Sequence, residues 1–506
     1  MKQLIAAFLF YFSWANLQAD TTTPVGIEWR QWSPEVWRQA KQENKAVYLY
    51  LQAVWCHWCH VMEATTFQDK EVITRLNTDF IPVKVDHDAR PDLANKYRDY
   101  GWPANIILAP NGGELLQRAG HIPAEKFLPI LQDFAVVPTR ELVAKSGIGE
   151  QDLSPNLSSA TRNRLLEKHT NSYDRELGGL AIRQKFLDGD GVEFHLLLAK
   201  RGDKEELARA KQSLTAAAKL VDPVWGGAYQ YSTFGNWDNP HYEKLMRTQG
   251  RYLRVYSLAY EQLQNDEYRR VLVDIHRYLN NFLRDVNGSF YVSQDADLIQ
   301  GQKAHDYFEL SDVERRKQGI PKVDTHVYAD ANGQAIEGLA LMAKALHDKT
   351  ILTQALTAAD NMINSLQNRD GGFRHSADHH GDYFLSDNLW MGRAFVALYK
   401  ATDDLRWLSA AQKIALVIEQ HFRAQPAGFA GGVDNGTPVK PIPNMDENIA
   451  LGRFAAELYA ASQFPPANRI LRHCMLYLAN PEVALSRVSD AGILLLDEAW
   501  REMSSD

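Results

Sequence analysis

Between Ser33 and Phe134 the apolar positions change period repeatedly, which predicts helices alternating with strands. Helical spacing over Glu35 to Gln42 gives way to an unbroken apolar run, Ala46 to Leu51, with the length of a buried strand. Cys56 to Cys59 opens a second helix, and a strand follows at Ile81 to Val85. After a short helix around Leu93 to Tyr97, Ile106 to Leu108 and Glu114 to Gln117 form a hairpin across Asn111-Gly112. Glu125 to Gln132 is again helical.

Regularity fails near residues 135–163, where Pro138, Gly147, Gly149 and Pro155 stand among Ser and Asp, so a linker is placed at 136–158. Beyond it the pattern is helical throughout, as in Ile336, Leu339, Ala340, Ala343, Leu346 and in Leu451, Phe454, Ala455, Leu458. Six helix pairs are predicted, with short junctions at Gly202-Asp203, Asn265-Asp266, Asp348-Lys349, Asp403-Asp404 and Pro465-Pro466. The other junctions are long and carry a degenerate glycine-aromatic repeat: Gly178-Gly179-Leu180, Gly226-Gly227-Ala228-Tyr229, Gly288-Ser289-Phe290-Tyr291, Gly371-Gly372-Phe373 and Gly428-Phe429. A closed ring of hairpins places short turns at one end and long loops at the other. The expected chain is multidomain: an α/β domain over 20–135, then an all-α (α/α)6 barrel over 159–506.

The composition of the 506 residues, 45% hydrophobic and 23% charged, is that of a globular protein. A net charge of -8 argues against a nucleic-acid partner. Met1-Lys2, the apolar run Leu4 to Ala15 and Leu17-Gln18-Ala19 before Asp20 read as a cleaved signal peptide, 1–19. That predicts secretion, into the periplasm of a Gram-negative source, where thiols meet an oxidising environment.

Three cysteines are too few for a disulfide scaffold, and two of them form Trp55-Cys56-His57-Trp58-Cys59-His60 directly after the buried strand. At a helix N-terminus the free N–H groups and the dipole favour a Cys56 thiolate, with a protonated His57 adding to that effect. Cys59, one turn later, resolves the mixed disulfide. Trp102-Pro103, before the Ile106 strand, is placed as a loop facing the dithiol. Competing readings are two inert buried cysteines, c-type haem attachment at Cys56-x-x-Cys59-His60, and structural zinc; the single motif copy, set between strand and helix, counts against the last two. No metal and no cofactor are assigned. Cys474 reads as a small core residue.

These residues resemble the thioredoxin superfamily over about 33–134. Cys56 to Glu63, Val83-Lys84-Val85-Asp86, Arg90-Pro91-Asp92 and Gly101-Trp102-Pro103 look like the YyaL-like, spermatogenesis-associated thioredoxin-domain family. Gly178-Gly179, Pro240-His241-Tyr242-Glu243-Lys244 and Asp295-Ala296-Asp297 resemble that family's helical half, which is similar to six-hairpin glycosidases and sugar epimerases. The chain departs from thioredoxin with Tyr50 where a buried acid usually stands and with His57-Trp58 between the cysteines. It departs from the family in Asp330-Ala331-Asn332-Gly333, which lacks a preceding Trp.

The expected function is thiol–disulfide exchange by Cys56 and Cys59, with Trp55, His57, Trp58, Trp102 and Pro103 shaping the site. The expected client is a protein disulfide or dithiol, recycled by a membrane-borne redox partner. The alternative is carbohydrate processing or binding in the barrel, with candidate residues His241, Glu243, Asp295 and Asp387. Rim residues Trp225, Tyr229, Tyr231, Trp237, Tyr291 and Tyr307, among Asp238, Asp295, Asp297, Asp434 and Asp446, form either a sugar platform or simple packing. Glu243 is placed at a Pro-initiated helix start, and His375, His379 and His380 with Asp378 and Asp382 in a solvated polar loop.

Overall fold

A computed structural model describes residues 26–97, 101–136, 153–379, 381 and 383–504. The signal-peptide assignment, most of the linker, His380 and Asp382 lie outside them.

The first unit is built on β1 (Ala46–Gln52), which is buried on both faces and therefore reads as a continuous apolar run. It pairs parallel with β2 (Phe80–Asp86) and antiparallel with β3 (Ala104–Leu108), which pairs antiparallel with β4 (Glu114–Ala119). The order is β2-β1-β3-β4. Val47, Leu49 and Leu51 meet α1 (Pro34–Glu43) and α4 (Pro91–Lys96) on one face. Tyr48 and Tyr50 meet α2 (His57–Ala64), α3 (Lys70–Asp79) and α5 (Ala124–Phe134) on the other.

The second unit begins at α6 (Ser159–Asn171). Six helices form a closed inner ring: α7 (Gly189–Lys200), α9 (Met246–Leu263), α13 (Ala329–Leu346), α15 (Leu385–Thr402), α17 (Met445–Ser462) and α20 (Ala491–Ser504), each packed on the next. Their outer partners are α8 (Lys204–Ala218), α10 (Asp266–Tyr278), α14 (Lys349–Leu366), α16 (Leu405–His421) and α18 (Pro465–Leu478), with the first helix, α6, completing the sixth pair against the last, α20. Short helices α11 (His305–Phe308) and α12 (Asp312–Gln318) lie in the longest loop, and α19 (Pro481–Ala484) follows α18. The tight turns have one local cause. Gln264, His347, Asp403 and Gln463 end inner helices in the left-handed region, and Asn265, Asp348 and Asp404 at once cap the next helix by accepting its first N–H groups.

The long loops are pinned by a device that the glycine-aromatic repeat only hinted at. The fourth residue of four inner helices, Gln249, Asn332, Asn388 and Asn448, accepts the backbone N–H of Ala228, Phe290, Phe373 and Phe429 respectively. The flanking glycines are obligatory where the loop crosses a neighbour: a Cβ on Gly227 would lie 2.5 Å from the Tyr278 ring. Trp225, Tyr229, Trp237 and Tyr307 are all buried, so these rim aromatics serve as packing rather than as an open platform.

A chain of buried ion pairs ties five inner helices together. Arg254 donates to Glu193 at 2.8 Å and to Glu337 at 2.7 Å, Arg393 donates to Glu337 at 2.8 Å, and Arg453 returns to Glu193. The α/β unit sits on the barrel end formed by the long loops and the N-termini of inner helices, which brings Cys56-to-His60, the 86–95 segment and the hairpin turn against the rim.

Candidate functional site

Cys56 is the N-cap of α2, and its Sγ accepts the Cys59 N–H at 3.2 Å. The two cysteines are joined in a disulfide with their Cα atoms 5.2 Å apart. Both sulfurs are therefore committed to each other. Ala53, Trp55, Trp102 and the barrel residue Leu245 pack around them. Cys56 is 3% exposed and Cys59 0%, so the pair lies sealed at the seam between the two domains. The Trp102-Pro103 peptide is cis, and the Trp102 ring packs 4.5 Å from that of His87. Trp58 alone of the motif is exposed, at 39%, stacked on His121 and beneath Lys303.

The motif histidines reach across the seam. His57 Nδ1 lies 2.8 Å from Asp297 Oδ1, and His60 Nδ1 3.1 Å from Asp297 Oδ2. Asp297 is fixed in turn by the Gly301 N–H at 2.8 Å. Although burial opposes it, hydrogen bonds from His57 and His60 hold the Asp297 carboxyl well below the ordinary carboxylate range. Burial disfavours charge on His60 as well, yet the hydrogen bond to Asp297 and the charges of Asp295 and Asp297 raise its pKa.

Asp295 and Glu243 share one neighbourhood. Burial lifts the Asp295 carboxyl to about 7, with Asp297 and Glu243 adding to the rise against the opposing His60 charge. Asp295 Oδ2 and Glu243 Oε2 are buried without a hydrogen-bond partner. The segment that carries Glu243 and Leu245 is anchored by Lys244, whose ammonium bonds Asp222 at 2.7 Å and the Gly226 carbonyl at 2.8 Å. The expected helix start at Pro240 is not observed. Pro240–His241 pairs as a short strand with Tyr231–Ser232, His241 stacks on Tyr231, and α9 begins only at Met246. Strand pairing within the loop takes the backbone groups that a first helical turn would need.

Asp387 stands in another cluster, with His375 and Asp330. The polar-loop expectation fails for His375, which is 2% exposed. Its Nδ1 donates to Asp387 Oδ1 at 2.9 Å, its Nε2 donates to the Asp88 carbonyl of the first domain at 2.7 Å, and its ring stacks on Tyr328. Asp378 is exposed, as expected. Asp88 also accepts from Trp55 Nε1 at 2.7 Å, and Arg247 covers the Trp55 ring.

Among the described residues, three clusters of three groups bring histidine and carboxylate together: His60, Asp295 and Asp297; Asp330, His375 and Asp387; and His169, His195 and Glu206. In the first two, both ring nitrogens of the histidine face oxygen acceptors, so they bear protons rather than lone pairs for a metal. In the third, the Arg209 guanidinium already occupies Glu206. Cys474 is fully buried in α18, as expected of a core residue.

The motifs that carried the family resemblance in the two halves thus meet at one seam. Residues 13–136 match the family described as Thioredox_DsbH, a protein of unknown function, DUF255. The first domain has a thioredoxin-like fold and is similar to this family. Spermatogenesis-associated protein 20 of Homo sapiens is 30% identical over 308 residues, which cover 54% of this chain and 39% of that protein. The chain therefore spans about two fifths of the length of this curated relative. A protein disulfide-isomerase of Schizosaccharomyces pombe is 23% identical over 112 residues, 22% of this chain and 31% of that protein. The solved sugar epimerase from a ruminal bacterium superposes with a TM-score of 0.51 at 12% identity, over 64% of this chain and 86% of that one. The second domain has the helical-barrel fold of six-hairpin glycosidase-like proteins.

Residue choice from sequence missed three contributors to the dithiol site: His60 and Asp297, which lay in quoted motifs but were given no role at the dithiol, and Leu245, an apolar position with no signal of its own.

Proposed function

We propose that the protein is a thiol–disulfide oxidoreductase of an oxidising compartment, reached through its N-terminal signal segment. The observation that carries this reading is a disulfide closed at a helix N-terminus, with the Cys59 N–H aimed at Cys56 Sγ. That amide and the helix dipole stabilise the charge that Cys56 acquires on reduction. The Cys56 thiolate attacks a client disulfide, forming a mixed disulfide and expelling one client thiolate. Cys59 then attacks Cys56 Sγ, the second client thiolate leaves, and two electrons have passed from the dithiol to the client. The reverse sequence oxidises a client dithiol. The sulfurs alone carry the electrons, and a membrane-borne partner resets them.

Because the sulfurs are sealed, a protein client reaches them only when the barrel rim separates from α2. The barrel serves in this reading as the surface that covers the dithiol. Cys59→Ser should accumulate a client adduct on Cys56, whereas Cys56→Ser should accumulate none. Absence of any adduct from Cys59→Ser under conditions that loosen the seam contradicts the proposal.

A second reading, carbohydrate processing in the barrel, is favoured by the unpartnered oxygens of Glu243 and Asp295 on the rim. There Asp295, with its carboxyl at about 7, is the acid/base group. Sugar turnover that survives Cys56→Ser with Cys59→Ser supports it; turnover lost with the cysteines, or never present, opposes it.

A further inference from the structure

The barrel takes part in the electrostatics of the dithiol. Asp297 lies just beyond the short strand Ser293–Gln294, on a loop of the second domain, yet its two oxygens bond the residues that directly follow Cys56 and Cys59. His60 uses both ring nitrogens, Nδ1 on Asp297 and Nε2 on the Val54 carbonyl at 3.0 Å. A carboxylate and a carbonyl only accept, so both nitrogens carry hydrogen and the ring is an imidazolium. This places a cation in the first turn of α2, where reduction creates a thiolate.

We infer that Asp297 is a positioning residue of the dithiol: it holds His57 and His60 and fixes a positive charge beside Cys56–Cys59, so the redox centre is shared between the two domains. The inference rests on the redox reading above. The groups facing His60 are Asp297, Asp295 (3.7 Å from Nε2) and the Gln300 amide at 3.5 Å, with Glu243 acting on Asp295 from behind. The raised pKa of His60 agrees with this arrangement.

Two glutathione thiols supply two electrons and two protons, the protein disulfide opens, and glutathione disulfide leaves. Cys59 keeps one proton, and the other is released while Cys56 remains a thiolate. A neighbouring cation stabilises the thiolate and so the reduced form. With Asp297→Asn, His60 loses the hydrogen bond that most opposes burial and keeps only Asp295 and the Val54 carbonyl, so the ring gives up its proton more readily and the thiolate loses support.

The test uses the full chain. The glutathione equilibrium constant is measured together with the pH profile of Cys56 alkylation in the reduced protein. Asp297→Asn should shift the equilibrium about tenfold toward the disulfide and move the alkylation midpoint up by about one unit. Asp297→Glu should restore both, and His60→Gln should reproduce the loss. An Asp297→Asn protein that reaches equilibrium faster, but with the wild-type constant and pH profile, overturns the inference and leaves Asp297 as a latch only. Should Asp297→Asn not fold, His60→Gln carries the same two readouts, and an unchanged constant there overturns it equally. A wild-type protein that never equilibrates with glutathione refutes the redox reading itself, which is a separate outcome.

Discussion

His375 of the barrel donates to the backbone carbonyl of Asp88 in the thioredoxin-like domain at 2.7 Å, while its other ring nitrogen is held by Asp387. A doubly hydrogen-bonded imidazolium therefore pins one domain to the other, on the same seam as the dithiol.

This contact makes the docking pH-dependent. Against burial, the charge and hydrogen bond of Asp387 raise His375 from 6.5 to about 9. Its contribution is complete below about 6.5 and lost as pH rises through about 9. Asp86 and Asp330, both lifted to about 7 chiefly by burial, keep protons that the unfolded chain has already released, so they too favour the lower pH. Thermal stability should fall from pH 5 to pH 9, and fall less in His375→Gln, which costs about 3 kcal/mol at pH 6 by breaking a buried ion pair. Calorimetry across that range checks it; a rise in stability with pH contradicts the seam chemistry.

Leu245 is the barrel side chain packed on the cysteines. Leu245→Ala should cost about 2–4 kcal/mol of stability by opening a cavity. It should also speed reduction of the disulfide by a small phosphine several-fold. Equal reduction rates in the two proteins place the barrier to the sulfurs elsewhere.

Glu337 is the acceptor at the centre of one arm of the barrel's buried charge chain. Glu337 accepts from Arg254 and Arg393. Glu337→Leu leaves both guanidinium groups short of a partner in the core and should cost about 3–5 kcal/mol, read from denaturant midpoints. Removing one member of the exposed pair Lys344–Glu261 should cost under about 1 kcal/mol.

How far the sequence foretold this depended on the range of the interactions. Elements driven by local periodicity, such as the buried run Ala46 to Leu51 and the capped turns after Gln264 and His347, were legible because neighbours in sequence determine them. The motif Cys56 to His60 was legible as chemistry. What its histidines bond was not, because Asp297 is separated from His57 by 240 positions. Glu243 was misplaced at a helix start because Pro240 carries the local signal of one, while the strand pairing with Tyr231–Ser232 is made within the folded loop. His375 looked solvated because its neighbours are polar; a second domain covers it.

Cys474 tests the separation of reactive from structural thiols. Its thiol is pushed far up by burial. Under conditions that open the seam but leave the barrel folded, the reduced protein should show two alkylatable thiols, Cys56 and Cys59, with the third appearing only on unfolding. Native labelling of Cys474 contradicts the packing of α18.

The central claim, a reversible dithiol at the seam, is tested most directly by titrating the wild-type protein through glutathione redox buffers and mapping Cys56 and Cys59 at each point by mass spectrometry. The account predicts that both sulfurs convert together as a single two-electron couple and return on reoxidation. A pair that remains bonded, or remains free, across the whole range contradicts it.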